Sequence, residues 1–174
     1  MDIGSISRDN APLPWTKLIS NFDAEYEFLA NNGTDFLFCT TLCAPRKRVI
    51  SIDTKTMELK EIIPQHLTNV IVSIACVAHA YLVVEYMEDV KSKLQIFQLH
   101  SGNLVGDIPV DLGTIRSISC DQNSTDLFFK FQSFFNPGTI YHVDLQNLPK
   151  IVTTVHRRIT APGLIARDVK RFSG

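Results

Sequence analysis

The sequence predicts an all-β fold built as a partial β-propeller of about three four-stranded antiparallel blades. Three observations carry this. Helical periodicity is almost absent, and short runs rich in Val, Ile, Phe, Tyr and Thr recur between turn signals. The runs fall into sets of four that repeat after about 45 residues, the period of a blade. Within the third run of a set, apolar and polar residues alternate, as in Val49-Ile50-Ser51-Ile52-Asp53 and Ile140-Tyr141-His142-Val143-Asp144.

The expected strands, in order, are 26–30, 36–42, 48–53 and 57–63 in the first blade, 70–78, 81–87, 94–100 and 104–110 in the second, and 114–120, 127–135, 139–145 and 150–156 in the third. Second strands open at Phe36, Tyr81 and Leu127, and third strands close at Asp53, His100 and Asp144. A polar turn follows each close: Thr54-Lys55-Thr56, Ser101-Gly102-Asn103 and Gln146-Asn147. Fourth strands such as Met57-Glu58-Leu59-Lys60-Glu61-Ile62 are more polar, which suits an outer edge. First strands are expected innermost, because Ile71, Ile74, Ile115 and Ile118 leave no charged face there except Arg116. An ordinary β-sandwich is the competing arrangement. No Trp-Asp dipeptide ends a third strand, so the WD class is excluded.

These strands divide the chain into an outer strand of a preceding blade with its linker (1–25), blades at 26–65, 66–111 and 112–156, and an exit segment (157–174) leading towards a domain that is absent. Leu13-Pro14-Trp15-Thr16-Lys17-Leu18-Ile19 reads as that preceding outer strand. Propellers close with roughly four to eight blades. Three blades leave two sheet faces uncovered, a docking or aggregation liability. Phe36, Phe38 and Ile50 are expected on the outward face of the first blade, and some of Phe129, Phe131 and Phe135 on that of the third.

Composition narrows the function. A hydrophobic share of 45% and a charged share of 20% are those of a globular chain. With 17 basic and 18 acidic residues the net charge is −1, so no field draws nucleic acid or an acidic membrane. Arg46-Lys47-Arg48 reads as a solvated turn. No stretch reaches the roughly 18 apolar residues of a membrane span, and Met1-Asp2-Ile3-Gly4-Ser5 is not a secretory signal. Cys39, Cys43, Cys76 and Cys120 are too few and wrongly spaced for a disulfide framework or a zinc knuckle. Free thiols in a reducing, cytoplasmic setting are expected.

No catalytic, cofactor-binding or metal-ligating residue is assigned. A Gly-x-Ser-x-Gly nucleophile elbow does not occur, nor a P-loop or Gly-x-Gly-x-x-Gly pattern. His66, His79, His100, His142 and His156 form no metal-ligand cluster in sequence, and His142, mid-strand, reads as a packed or hydrogen-bonded structural residue. Phe128, Phe129, Phe131, Phe134 and Phe135 could stack nucleic-acid bases, but only Lys130 interleaves, so blade packing is the better reading. No cofactor is expected.

Trp15-Thr16-Lys17-Leu18-Ile19-Ser20-Asn21-Phe22 with Glu25-Tyr26, then Asp89-Val90-Lys91-Ser92-Lys93-Leu94-Gln95, then the segment from Phe131 to Leu145 together resemble the prolyl oligopeptidase (prolyl endopeptidase) family, in order and spacing. The resemblance runs from about Trp15 to Asp168. It implies the last blades of a seven-bladed propeller that covers the active site of an α/β-hydrolase domain. It also implies a serine-protease reaction, a Ser-His-Asp hydrolysis of short peptides after proline. The expected partners are such peptides, the remaining blades and the hydrolase domain, with no nucleic acid and no membrane. The family's catalytic residues have no counterpart here, so the chain alone is expected to be inactive. An independent propeller-like interaction module that has lost the enzyme is the alternative.

Overall fold

A computed structural model describes residues 17–20, 23–134 and 136–159. Strands β1 (Tyr26–Asn32), β2 (Asp35–Thr40), β3 (Arg48–Asp53) and β4 (Leu59–Ile63) form one sheet in that order. Strands β5 (Val70–Val77), β6 (Tyr81–Glu88), β7 (Lys91–Gln98) and β8 (Leu104–Ile108) form the second. The third holds β9 (Thr114–Cys120), β10 (Asp126–Gln132), β11 (Thr139–Asp144) and β12 (Thr153–Arg158). Each sheet is an antiparallel meander, and no helix occurs among the described residues. β1 approaches β5 and β5 approaches β9, whereas β4, β8 and β12 make no comparable approach to one another. The sheets therefore fan out from their first strands, as blades do.

The middle strands of the second sheet are buried on both faces because a sheet packs on each side of it. In β6, Leu82, Val84 and Tyr86 pack with Leu29, Leu37, Val49 and Ile63 of the first sheet. The alternate residue Val83 packs with Leu94, Ile96 and Ile108 against the third sheet's Leu127, Phe129, Phe131 and Val143. Two continuous apolar seams result, one at each blade–blade interface. At about 25 cal/mol per Å² these seams are the main favourable term holding the fan together.

Turn chemistry moves several boundaries from their expected positions. β7 begins at Lys91 and ends at Gln98 rather than at His100, because Asp89 and Val90 alone close the hairpin with φ of 46° and 65°. Glu88 pairs directly with Lys91 across it. That left-handed pair is the geometry of a type I′ turn. Asp53 therefore corresponds to Gln98: the Glu58 carbonyl accepts from Asp53 N and the Asn103 carbonyl from Gln98 N. β8 stops at Ile108 because Pro109 has no N–H to donate. β12 starts only at Thr153, after a turn closed by Lys150 N donating to the Asn147 carbonyl at 3.0 Å.

One expectation about faces is corrected. Phe129 and Phe131 are buried against the second sheet, not turned outward. The second sheet presents Val77, Val83, Leu94 and Ile96, and the most apolar parity of β10 packs there. That leaves Asp126, Phe128, Lys130 and Gln132 on the outward face, as the pleat requires. Phe134 is almost fully exposed rather than packed in an interface. Phe135, most of the expected strand before residue 20, and the exit segment beyond residue 159 lie outside the described residues. On the first sheet Phe36, Phe38 and Ile50 do lie on the outward face, turned away from the second sheet, with Ile52, Tyr26, Leu18 and Ile19 packed beside them.

Candidate functional site

The meander places two kinds of loop at opposite ends of the fan. The end where first and third strands begin carries 41–47, 64–69, 89–90, 109–113 and 133–138. Hydrogen bonds join these loops across blades. Ile71 N donates to the Arg46 carbonyl at 3.2 Å, Arg46 N to Gln65 Oε1 at 2.8 Å, and Ser92 N to the Gly113 carbonyl at 3.2 Å. Pro45, Pro64, Pro109 and Pro137 stiffen this end and are exposed. The most exposed large apolar residues stand on the same loops: Leu67 (88%), Val90 (87%), Leu112 (71%) and Phe134 (94%). Rigid loops that hold apolar tips in water form a preorganised contact surface.

The opposite end is polar and capped. Asp53 Oδ1 accepts from the amides of Lys55 and Thr56, at 2.7 and 2.9 Å, and Asp144 Oδ1 accepts from Gln146 N. The Thr56 and Lys55 amides hold the Asp53 carboxyl below the ordinary carboxylate range.

The inner strands carry a second feature. β5 and β9 each bulge at the corresponding point. Val72 falls between the pairs Ile71–Tyr86 and Ser73–Glu85, and Arg116 between Ile115–Phe131 and Ser117–Lys130. Bulges re-aim a side chain. Beside them, Glu85 is buried with its carboxylate accepting from Ser73 Oγ and Ser92 Oγ, both at 2.8 Å, while Ser92 Oγ accepts from Ile115 N at 3.0 Å. This chain of bonds ties β5, β6 and β7 to the next blade. Nothing in the alternation of β6 singles out Glu85 for burial. The bonds depend on residues brought in from three other strands.

The candidate side chains of the sequence do not converge. His142 Nε2 lies 2.6 Å from Asp126 Oδ1 on the outward face of the third sheet, with its ring against Phe128. That contact is the main cause holding the Asp126 carboxyl below its usual range. His66 Nδ1 accepts from Asn69 N at 2.9 Å and closes a loop. His79 occupies a left-handed turn position. Arg48 pairs with Glu61 at 3.0 Å. The four cysteines are free, and burial pushes the Cys39 thiol up to about 11. Among the described residues, no three His, Cys, Asp or Glu side chains are grouped to hold a metal ion.

A fan of four-stranded antiparallel blades with converging first strands defines part of a β-propeller domain. The chain belongs to the family described as prolyl oligopeptidase, N-terminal beta-propeller domain, which matches residues 4–155. It is similar to the dual function macrocyclase-peptidase POPB of Amanita bisporigera, 28% identical over 158 residues, covering 90% of this chain and 22% of that protein. It is also similar to prolyl oligopeptidase A of Galerina marginata, 27% identical over 157 residues, covering 90% of this chain and 21% of that protein. Among solved structures, apo prolyl oligopeptidase B from Galerina marginata superposes with a TM-score of 0.77 at 26% identity, over 83% of this chain and 21% of that one. The same enzyme bound to a 35mer hydrolysis and macrocyclization substrate superposes with a TM-score of 0.76. The chain thus spans about a fifth of the length of these relatives.

Proposed function

We propose that the chain forms part of the gating propeller of a prolyl oligopeptidase-like serine endopeptidase, through which proline-containing peptides reach a separate α/β-hydrolase domain. The observation that carries this reading is the family match over residues 4–155 of a fan whose loop end is stiff and apolar. That end offers the surface on which the hydrolase domain would sit. The propeller brings no nucleophile elbow, so its part in catalysis is to admit and confine the peptide. Four free thiols, with Cys39 and Cys76 buried and Cys43 exposed, favour a reducing, cytoplasmic setting.

Two measurements test the reading. The purified chain, given a chromogenic Gly-Pro substrate, is expected to show no turnover. Turnover abolished by a serine-directed inhibitor would overturn its inactivity. Residues 23–159 grafted in place of the matching segment of Galerina marginata prolyl oligopeptidase B should retain cleavage after proline. A folded chimera that excludes every peptide would overturn the gating role.

An independent interaction module is the second reading. The polar outward face of the third sheet favours it, because Asp126, Lys130, Gln132 and His142 can meet water without a further blade. A monomer that stays compact at high concentration in the ultracentrifuge would support this reading.

A further inference from the structure

Arg116 stands at the bulge of β9, the edge strand of the third sheet that lies beside β5 where the blades converge. Its Nε donates to Gln132 Oε1 at 2.9 Å on the neighbouring strand. That bond engages the nitrogen nearest the backbone and fixes the plane of the guanidinium. The two terminal nitrogens have no hydrogen-bond or ion-pair partner among the described residues. The side chain is exposed, so its charge is already available to a ligand. The innermost strands are nearly uncharged: β1, β5 and β9 together contain one acid, Glu27, and one base, Arg116, while β10, paired with β9, adds Lys130 opposite Ser117 and Asp126 at its far end. The corresponding bulge of β5 presents Val72, also exposed. A tethered planar fork with its terminal nitrogens open to solvent matches a carboxylate on a peptide. Guanidinium and carboxylate pair through two parallel bonds, and the tether has already removed part of the ordering cost.

We propose that Arg116 is a carboxylate-binding subsite of the inner strands, recognising the C-terminal carboxylate or an acidic side chain of a peptide that passes along them. This rests on the gating reading, which brings peptides to this side of the blades. Gln132 is the positioning residue, since it holds the fork without touching the ligand. Lysine could not replace the arginine fully, because an ammonium is a point charge without the bidentate geometry.

The test measures binding of fluorescent glycine–proline peptides to the full 174-residue chain by anisotropy. One peptide ends in a free carboxylate, one in an amide, and one carries the amide with an internal glutamate. The acid form should bind about five- to tenfold more tightly than the amide, with a preference that shrinks as salt rises. Tighter binding of the internal-glutamate amide would assign side-chain carboxylates to the same subsite, and its absence would assign the C-terminus alone. Arg116→Gln should abolish the preference, and Arg116→Lys should keep a reduced one. Gln132→Leu keeps the charge but frees the fork, and should lose most of the preference while retaining its salt dependence. Thermal unfolding of each variant confirms that it is folded. An undiminished preference in Arg116→Gln overturns the assignment. Equal binding of acid and amide overturns it while leaving the gating reading intact. Failure of every peptide to bind overturns both.

Discussion

The Thr34 hydroxyl donates to Asp53 Oδ2 at 3.1 Å, joining the turn before β2 to the end of β3. Thr125 donates to Asp144 Oδ1 at the same distance at the corresponding place in the third blade. In both blades the residue after the aspartate also donates its amide to the threonine carbonyl: Thr54 N to Thr34, and Leu145 N to Thr125. The second blade keeps the backbone bond, Leu99 N to the Ala80 carbonyl, but has Ala80 and Gln98 where the others have Thr and Asp. The backbone repeat is thus more faithful than its side chains.

Acid should weaken the fold through two hydrogen-bonded carboxylates, Asp53 and Asp126. Asp53 is held low chiefly by the Thr56 and Lys55 amides, and Asp126 chiefly by His142. A depressed folded value means a contribution fully present above the unfolded value of about 3.9 and lost as pH falls through the folded value. The thermal midpoint should therefore fall below about pH 4, and the loss should be shallower in Asp53→Asn and Asp126→Asn. Scanning calorimetry across that range checks it. Parallel profiles for wild type and both variants would contradict it.

Gly102 sits at φ 69° in the β7–β8 turn, and a Cβ there would overlap the Ile62 carbonyl oxygen of the first blade. Gly102→Ala should cost roughly 2–3 kcal/mol in urea unfolding, from backbone strain plus the blade–blade clash. Gly33 has a similar φ of 59° but open space around it. Gly33→Ala should therefore cost only about 1 kcal/mol. Equal losses at the two sites would show that the Ile62 contact does not matter.

Val90 is a β-branched residue at φ 65° in the two-residue hairpin after Asp89. That conformation disfavours a branched Cβ, and Asp-Gly is a preferred pair for this turn. Val90→Gly should raise stability by about 1 kcal/mol. A lower unfolding midpoint would mean that the exposed valine side chain contributes more in contacts than its backbone strain costs.

Phe28 is half exposed on the outward face of the first sheet, its ring 5.8 Å from Phe36 and 5.9 Å from Phe38. Among the described residues no further sheet covers that aromatic face, beside which only Leu18 and Ile19 pack, so the chain should self-associate as concentration rises. Phe28→Thr should shift sedimentation towards monomer, with the β propensity of the strand kept. Unchanged association would place the contact on another surface, the loop end of Leu67 and Phe134 being the next to mutate.

Strand identity, the fourfold sets and the polar outer strands were legible from the order of residues, because alternation and turn residues are local consequences of the pleat and of backbone sterics. So was the outward position of Phe36, Phe38 and Ile50. Which parity of β10 meets the second sheet was not legible, since alternation defines two faces without naming their neighbours. Phe129 and Phe131 went inward because an apolar face of another blade waited there. The burial of Glu85 depended on Ser73, Ser92 and Ile115 arriving from other strands, and the gathering of Leu67, Val90, Leu112 and Phe134 at one end depended on blades stacked in the same sense. Local geometry settles what each segment is. Only the packing of one blade on the next decides what each side chain faces, because burial is a property of pairs of surfaces brought together from distant parts of the chain.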